Sequence, residues 1–167
     1  MKKKQIDSRV KTINNLKVKS LSNVNLVRNS KKVLVFGTYD ILHPGHVAHL
    51  KKASKHGVLY VVVGLDKTVK DNKKREPYND ENTRLAAIKK IDCVYDARLG
   101  DVVDKYKCIE DIRPDLICLG YDQTYFIDNL SKELKKRNLK TKIIRFRKGH
   151  LPHIYKSSKL REKMSQR

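Results

Sequence analysis

Short apolar runs recur over residues 33–36, 59–63, 93–95, 116–119 and 143–146. Their shortness and β-branched content predict buried parallel strands. Between them the apolar positions take helical spacing. Val47, Leu50 and Ala53 mark a first helix, and Leu85, Ile88 and Ile91 a second, capped by Asn79 or Asp80. Val103, Tyr106 and Ile109 or Ile112 mark a third, ending before Pro114. Phe126 or Ile127, Leu130 and Leu134 mark a fourth, ending near Asn138. Strands alternating with helices predict a doubly wound α/β domain over 33–167. Ligands of such sheets bind beyond the carboxyl ends of the strands, so the loops after Phe36, Val63, Leu119 and Arg147 are where a site is expected.

Residues 1–32 break this pattern. They carry ten Lys or Arg against one acid, Asp7, and their apolar residues fit neither period. A basic appendage, partly helical or disordered, is expected there. The 167 residues are enough for one domain with a sizeable core. No run approaches the roughly 18 apolar residues that span a bilayer, and no apolar stretch follows the charged N-terminus as in a signal peptide. A soluble, cytoplasmic protein is the expectation, with no membrane partner. Cys93, Cys108 and Cys118 form no C-x-x-C pair and are expected as small buried hydrophobes. The net charge of +21 raises the question of a polyanion partner. The basic residues are scattered without interleaved aromatics to stack bases, so nucleic acid is not expected as the main partner.

The chemistry concentrates after the first strand. Gly37-Thr38-Tyr39-Asp40 leads into His43-Pro44-Gly45-His46, which opens the first helix. Gly37 would let the backbone approach a ligand, and a helix start offers free N–H groups and a positive dipole end to phosphate. His43 and His46, three residues apart, face the same side and can donate hydrogen bonds to charge that develops in a transition state. Nearer the C-terminus, Ser157-Ser158-Lys159 precedes a short helix, where serines can cap the helix while its amides face phosphate.

The stretch 37–46 resembles the G-T/S-F-D and H-x-G-H signature of the cytidylyltransferase-like nucleotidyltransferase superfamily, and the similarity extends over most of the domain. The resemblance implies a five-stranded parallel Rossmann-like sheet, a divalent cation (normally Mg2+), and in-line attack of an acceptor phosphate on the α-phosphate of a nucleoside triphosphate. Pyrophosphate leaves and no covalent intermediate forms. A site that offers positioning and charge neutralisation, without an activated nucleophile, suits that reaction.

On the matching positions, the resemblance implies that Gly37, Thr38 and Tyr39 hold the triphosphate. It assigns His43 and His46 to its α- and β-phosphates, and Asp40 to the neighbourhood of metal and phosphates. Lys51, one turn beyond His46, is a further catalytic candidate. Asp66 would face the acceptor. Lys73 and Lys74, in a basic loop with Arg75 that would clamp phosphates, and Arg84, which matches an E-x-x-R, would also bind the acceptor. Ser157 and Ser158 match the S-[ST]-[TS]-[KE] element that binds the nucleotide.

Gly120-Tyr121-Asp122-Gln123 resembles the G-Y-D-Q of archaeal-type FAD synthases, which transfer AMP from ATP to FMN. Gly120 and Asp122 would then contact the nucleotide and Tyr121 the acceptor. Arg147 stands ten residues before Ser157, whereas cytidylyltransferases place an Arg five before it. Adenylyl transfer from ATP to FMN is therefore the expected reaction, with CTP as the donor in the alternative. Cytidylyl transfer to glycerol 3-phosphate or a sugar phosphate is the alternative. A non-catalytic nucleotide- or RNA-binding relative is the alternative of another class. By analogy, a homodimer is expected.

Overall fold

A computed structural model describes residues 30–124, 127, 129–147 and 160–161. Contacts divide the chain after Ser30, and the second unit, Lys31–Arg167, holds the sheet. The appendage expected over 1–32 falls, but for its last three residues, outside the described residues, as do Tyr125, Phe126, Ser157, Ser158 and Lys159.

Five parallel strands form one sheet in the order β3-β2-β1-β4-β5. They are β1 (Lys32–Gly37), β2 (Val58–Val63), β3 (Asp96–Leu99), β4 (Leu116–Leu119) and β5 (Lys142–Arg145). The helices are α1 (Pro44–Ser54), α2 (Asp66–Lys73), α3 (Glu81–Lys89), α4 (Lys107–Ile112) and α5 (Leu130–Lys136). Alternate residues of the central strands feed opposite layers. Val33, Val35, Val61, Val63 and Cys118 pack with Leu50 and Ala53 of α1 and Ile88 of α3. Leu34, Val62, Ile117 and Leu119 pack with Ile109 and Ile112 of α4 and Leu130 and Leu134 of α5. Each such buried aliphatic side chain contributes about 1.5–3 kcal/mol, so strands apolar on both faces are the cheapest solution for this sequence.

The pairings are uneven. β1 and β2 run together from Lys32–Val58 to Gly37–Val63. β1 meets β4 only at Val33–Leu116 and Leu34–Ile117, near its start. Beyond that, the strand order reverses and the ends of β1 and β4 part, which is where such sheets bind ligands.

Three expectations need correction. The strand expected over 93–95 lies at Asp96–Leu99, while Cys93 and Val94 form a turn whose side chains pack against the core. β3 is an edge strand with only Ala97 buried, so its sequence reads as polar. The third helix begins at Lys107, not near Val103, which is 96% exposed in a turn. That turn is held by Asp101, whose Oδ1 accepts from the amides of Val103 (2.8 Å) and Asp104 (2.7 Å). Helix α2 was unexpected: Val69 is its single buried residue, too few to show a period.

Candidate active site

The loop between β1 and α1 is shaped by three local devices. Tyr39 has φ 54°, a left-handed conformation that turns the chain sharply. Its ring then lies over Gly37, where a Cβ would meet Tyr39 ring atoms at 2.5–2.9 Å. The space that Gly37 leaves is filled by this ring, not by a ligand. His43 then caps α1: its Nδ1 accepts from the His46 amide at 3.3 Å, and Pro44 occupies the first turn, where no N–H is needed.

The cap fixes the histidines. The His43 and His46 rings stack with centroids 3.8 Å apart, and Tyr39 meets His46 edge-on at 5.2 Å. Because His43 Nδ1 accepts, a neutral His43 carries its proton on Nε2 and can donate from there. Burial, then the charges of His43, His49 and Lys73, pushes His46 down to about 3. Burial also lowers His43. Both are therefore neutral donors near pH 7. His46 Nδ1 is buried without a hydrogen-bond partner.

Cations converge on this loop from two other segments. Lys73 Nζ, at the end of α2, donates to Thr38 Oγ1 at 3.1 Å. Burial, then Arg75, lowers Lys73. Lys74 follows in a left-handed conformation and points outward. Arg75 returns, placing Nη1 3.6 Å from Asp40 Oδ2. Arg161 donates to the same oxygen of Asp40 from across the chain. Asp40 itself is 3% exposed. Its Oδ1 accepts from the amides of Tyr78 (2.6 Å) and Asn79 (3.1 Å).

Arg84 is the centre of a second lattice. It is 1% exposed. Nε donates to Asn79 O at 2.9 Å, and Nη1 to Thr38 O at 2.6 Å and Gly64 O at 2.8 Å. Nη2 pairs with Asp66 Oδ1. Asp66 Oδ2 accepts from the Glu81 amide at 3.1 Å, and Glu81 Oε2 accepts from the Asp66 amide at 2.8 Å. One guanidinium thus ties the ends of β1 and β2 to the starts of α2 and α3.

Several candidate residues are held by contacts of their own. Arg84 and Asp66, expected toward the acceptor, spend their polar atoms on each other and on this lattice. Tyr39 contributes its backbone turn, since its side chain is 4% exposed and its hydroxyl is buried without a partner. Lys51 is exposed on α1, and no described contact draws it into the loop. Asp40, expected near a metal, has N–H donors on both oxygens. Among the described residues, no group of three or more His, Cys, Asp or Glu could hold a metal ion.

The turn after β4 forms a separate wall. Gln123 Oε1 accepts from the Gly120 amide at 3.3 Å, and Arg145 Nη1 donates to Gly120 O (2.9 Å) and Gln123 O (2.8 Å). Tyr121 and Asp122 are left exposed on it. His49, one turn beyond His46, packs edge-on against Phe146 at 5.2 Å. Burial lowers His49, and the charge of Asp122 opposes that. Sequence reasoning did not single out His49, Arg145 or Arg161. His49 alone carried a local signal, the continuation of the three-residue spacing of His43 and His46.

Comparison with known proteins agrees with this geometry. The family model described as cytidylyltransferase-like matches residues 34–163. An FAD synthase of Methanocella paludicola is 40% identical over 136 residues, covering 81% of this chain and 96% of that protein. One of Ferroglobus placidus is 41% identical over 135 residues, covering 80% and 88%. Among solved structures, a lipopolysaccharide core biosynthesis protein of Thermoplasma volcanium has a TM-score of 0.67 at 37% identity, covering 73% of this chain and 99% of that one. A pantoate-beta-alanine ligase of Francisella tularensis shares the fold alone, with a TM-score of 0.53 at 16% identity, covering 81% and 69%. With its Gly37–His46 loop, paired histidines and reversing strand order, the chain belongs to the cytidylyltransferase-like family of nucleotidyltransferases.

Proposed function

We propose that this protein transfers AMP from ATP to FMN, giving FAD and pyrophosphate, in the cytoplasm. The observation that carries the reading is about 40% identity to FAD synthases over four-fifths of the chain. A phosphate oxygen of FMN attacks the α-phosphorus of ATP, and the bond from that phosphorus to the bridging oxygen of pyrophosphate breaks. His43 donates from Nε2, and His46 beside it, to the oxygens on which charge grows. Neutral imidazoles are suited to this because they bring no charge that would over-stabilise the bound ground state. Lys73 and Arg75 neutralise the departing pyrophosphate. The expected Mg2+ would be held mainly by substrate phosphates, as this ion commonly is. Tyr121, exposed on the Gly120–Gln123 wall, is placed to meet the acceptor.

The test is pyrophosphate release by purified protein with Mg2+, either ATP or CTP, and one acceptor at a time: FMN, glycerol 3-phosphate or heptose 1-phosphate. Release with ATP and FMN alone supports the reading, and release only with the other acceptors overturns it. A sugar-phosphate acceptor is the second reading, favoured by the likeness to the lipopolysaccharide core biosynthesis protein. Light scattering of the same preparation tests the homodimer expected by analogy.

A further inference from the structure

We infer that Asp40 acts as a positioning residue, holding Arg75 and Arg161 on the phosphate loop, and does not ligate a metal. The inference rests on the nucleotidyl-transfer reading above.

Asp40 is one of two charged or polar residues buried among those described, and the other, Arg84, is spent on its lattice. A buried carboxylate needs donors on both oxygens. Here Oδ1 takes the amides of Tyr78 and Asn79, and Oδ2 takes Arg161 and the charge of Arg75. Burial would raise this carboxyl, but the Asn79 amide, Arg161 and the Tyr78 amide outweigh it and hold the group below its ordinary value. A cation binding at either oxygen would have to displace N–H donors already in place.

The arrangement also explains how three segments reach one loop. The amides of Tyr78 and Asn79 fix the end of the segment that carries Arg75, while Arg161 is recruited from 121 residues away. Arg161 in turn donates to Glu76 O at 3.4 Å, closing the ring. Arg75 Nη1 is buried, held by charge alone, and makes no hydrogen bond. Lys73, Arg75 and Arg161 stand against one carboxylate, so the loop keeps a net positive charge while its guanidinium groups are pre-aimed.

The test separates positioning from metal binding by removing the metal. ATP affinity is measured by calorimetry in EDTA for the wild type, Asp40→Asn and Asp40→Glu, with CTP run in parallel. Asp40→Asn keeps an acceptor for the two amides but turns an NH2 toward both arginines. Asp40→Glu keeps the charge but moves it by one methylene. Either substitution weakens metal-free binding about tenfold or more, the scale of misplacing a charge-assisted contact. Arg75→Gln weakens it in the wild type but adds less than about twofold in Asp40→Asn, because the arginine is already astray. The Mg2+ concentration for half-maximal rate stays within about twofold of wild type, since no metal ligand is lost. Unchanged metal-free affinity in the folded variants, or equal effects of Arg75→Gln in both backgrounds, overturns the inference. Should Asp40→Asn fail to fold, Asp40→Glu carries the same comparison. Binding of CTP in place of ATP would overturn the donor assignment and leave the Asp40 comparison readable with CTP.

Discussion

Replacing Arg84 with methionine removes a guanidinium while nearly conserving volume, and the lattice predicts the cost. Three carbonyl oxygens, of Asn79, Thr38 and Gly64, lose their donor together with Asp66 Oδ1. A buried acceptor left unpaired costs about 1–3 kcal/mol, and breaking a buried ion pair from one side about 3–5 kcal/mol. These do not add. The Asp66 side chain is 33% exposed, so water can serve its carboxylate. A net loss of about 3–5 kcal/mol follows, equivalent to a fall in Tm of roughly 6–20 °C for a chain of this size. Urea unfolding followed by circular dichroism gives the free energy, and initial rates give the KM for FMN. A stability loss below about 1 kcal/mol would refute the lattice argument. A raised FMN KM with unchanged stability would return Arg84 to the acceptor-binding role expected from its sequence motif.

Tyr39→Phe removes a buried hydroxyl that satisfies no partner, so stability is unchanged or rises by about 1 kcal/mol; a loss of that size would mean the hydroxyl is bonded. His46→Ala lowers kcat by roughly 100-fold or more with little change in nucleotide Kd, and an unchanged kcat would reduce the histidine pair to a helix cap. His46 also makes stability depend on pH. Its folded value, about 3, lies below the ordinary 6.5, so within that window the unfolded chain binds a proton that the native state does not. The stabilisation is full above pH 6.5 and lost on acidification, by about 1.4 kcal/mol per pH unit from this group. Urea unfolding from pH 7 to 4 should show a shallower slope for His46→Gln than for wild type, and equal slopes would contradict the burial of His46.

The central sheet was legible because β1, β2 and β4 are apolar on both faces, a pattern with few other uses. β3 was displaced because an edge strand with Asp96 and Arg98 need not be apolar, whereas the neighbouring Cys93 and Val94 are. α2 escaped because Val69 alone ties it to the core. At the site, the placement of His43 and His46 at the start of α1 was legible because helix caps are local, whereas the Tyr39 ring over Gly37 was not. What Asp40, Asp66 and Arg84 do was not, since their partners come from other segments, Arg161 farthest of all. Sequence could say that polar residues gather at this end of the sheet. It could not say which carboxylate would find which arginine, and burial decided that.

The brief pairing of β1 with β4 has a mechanical consequence. The strands from β1 to β3 run in close register, and β4 is zipped to β5 from Leu116–Lys142 to Leu119–Arg145. Between these two slabs the ladder is spent after Leu34–Ile117. The domain therefore has a seam, open at the end where the histidine helix and the Gly120–Gln123 turn stand on opposite banks. A nucleotide lying across it would act as a stitch. By mass action, each tenfold excess of ligand over its Kd adds about 1.4 kcal/mol to the union of the two slabs. Substrate would thus be part of the cohesion of the protein as well as its cargo.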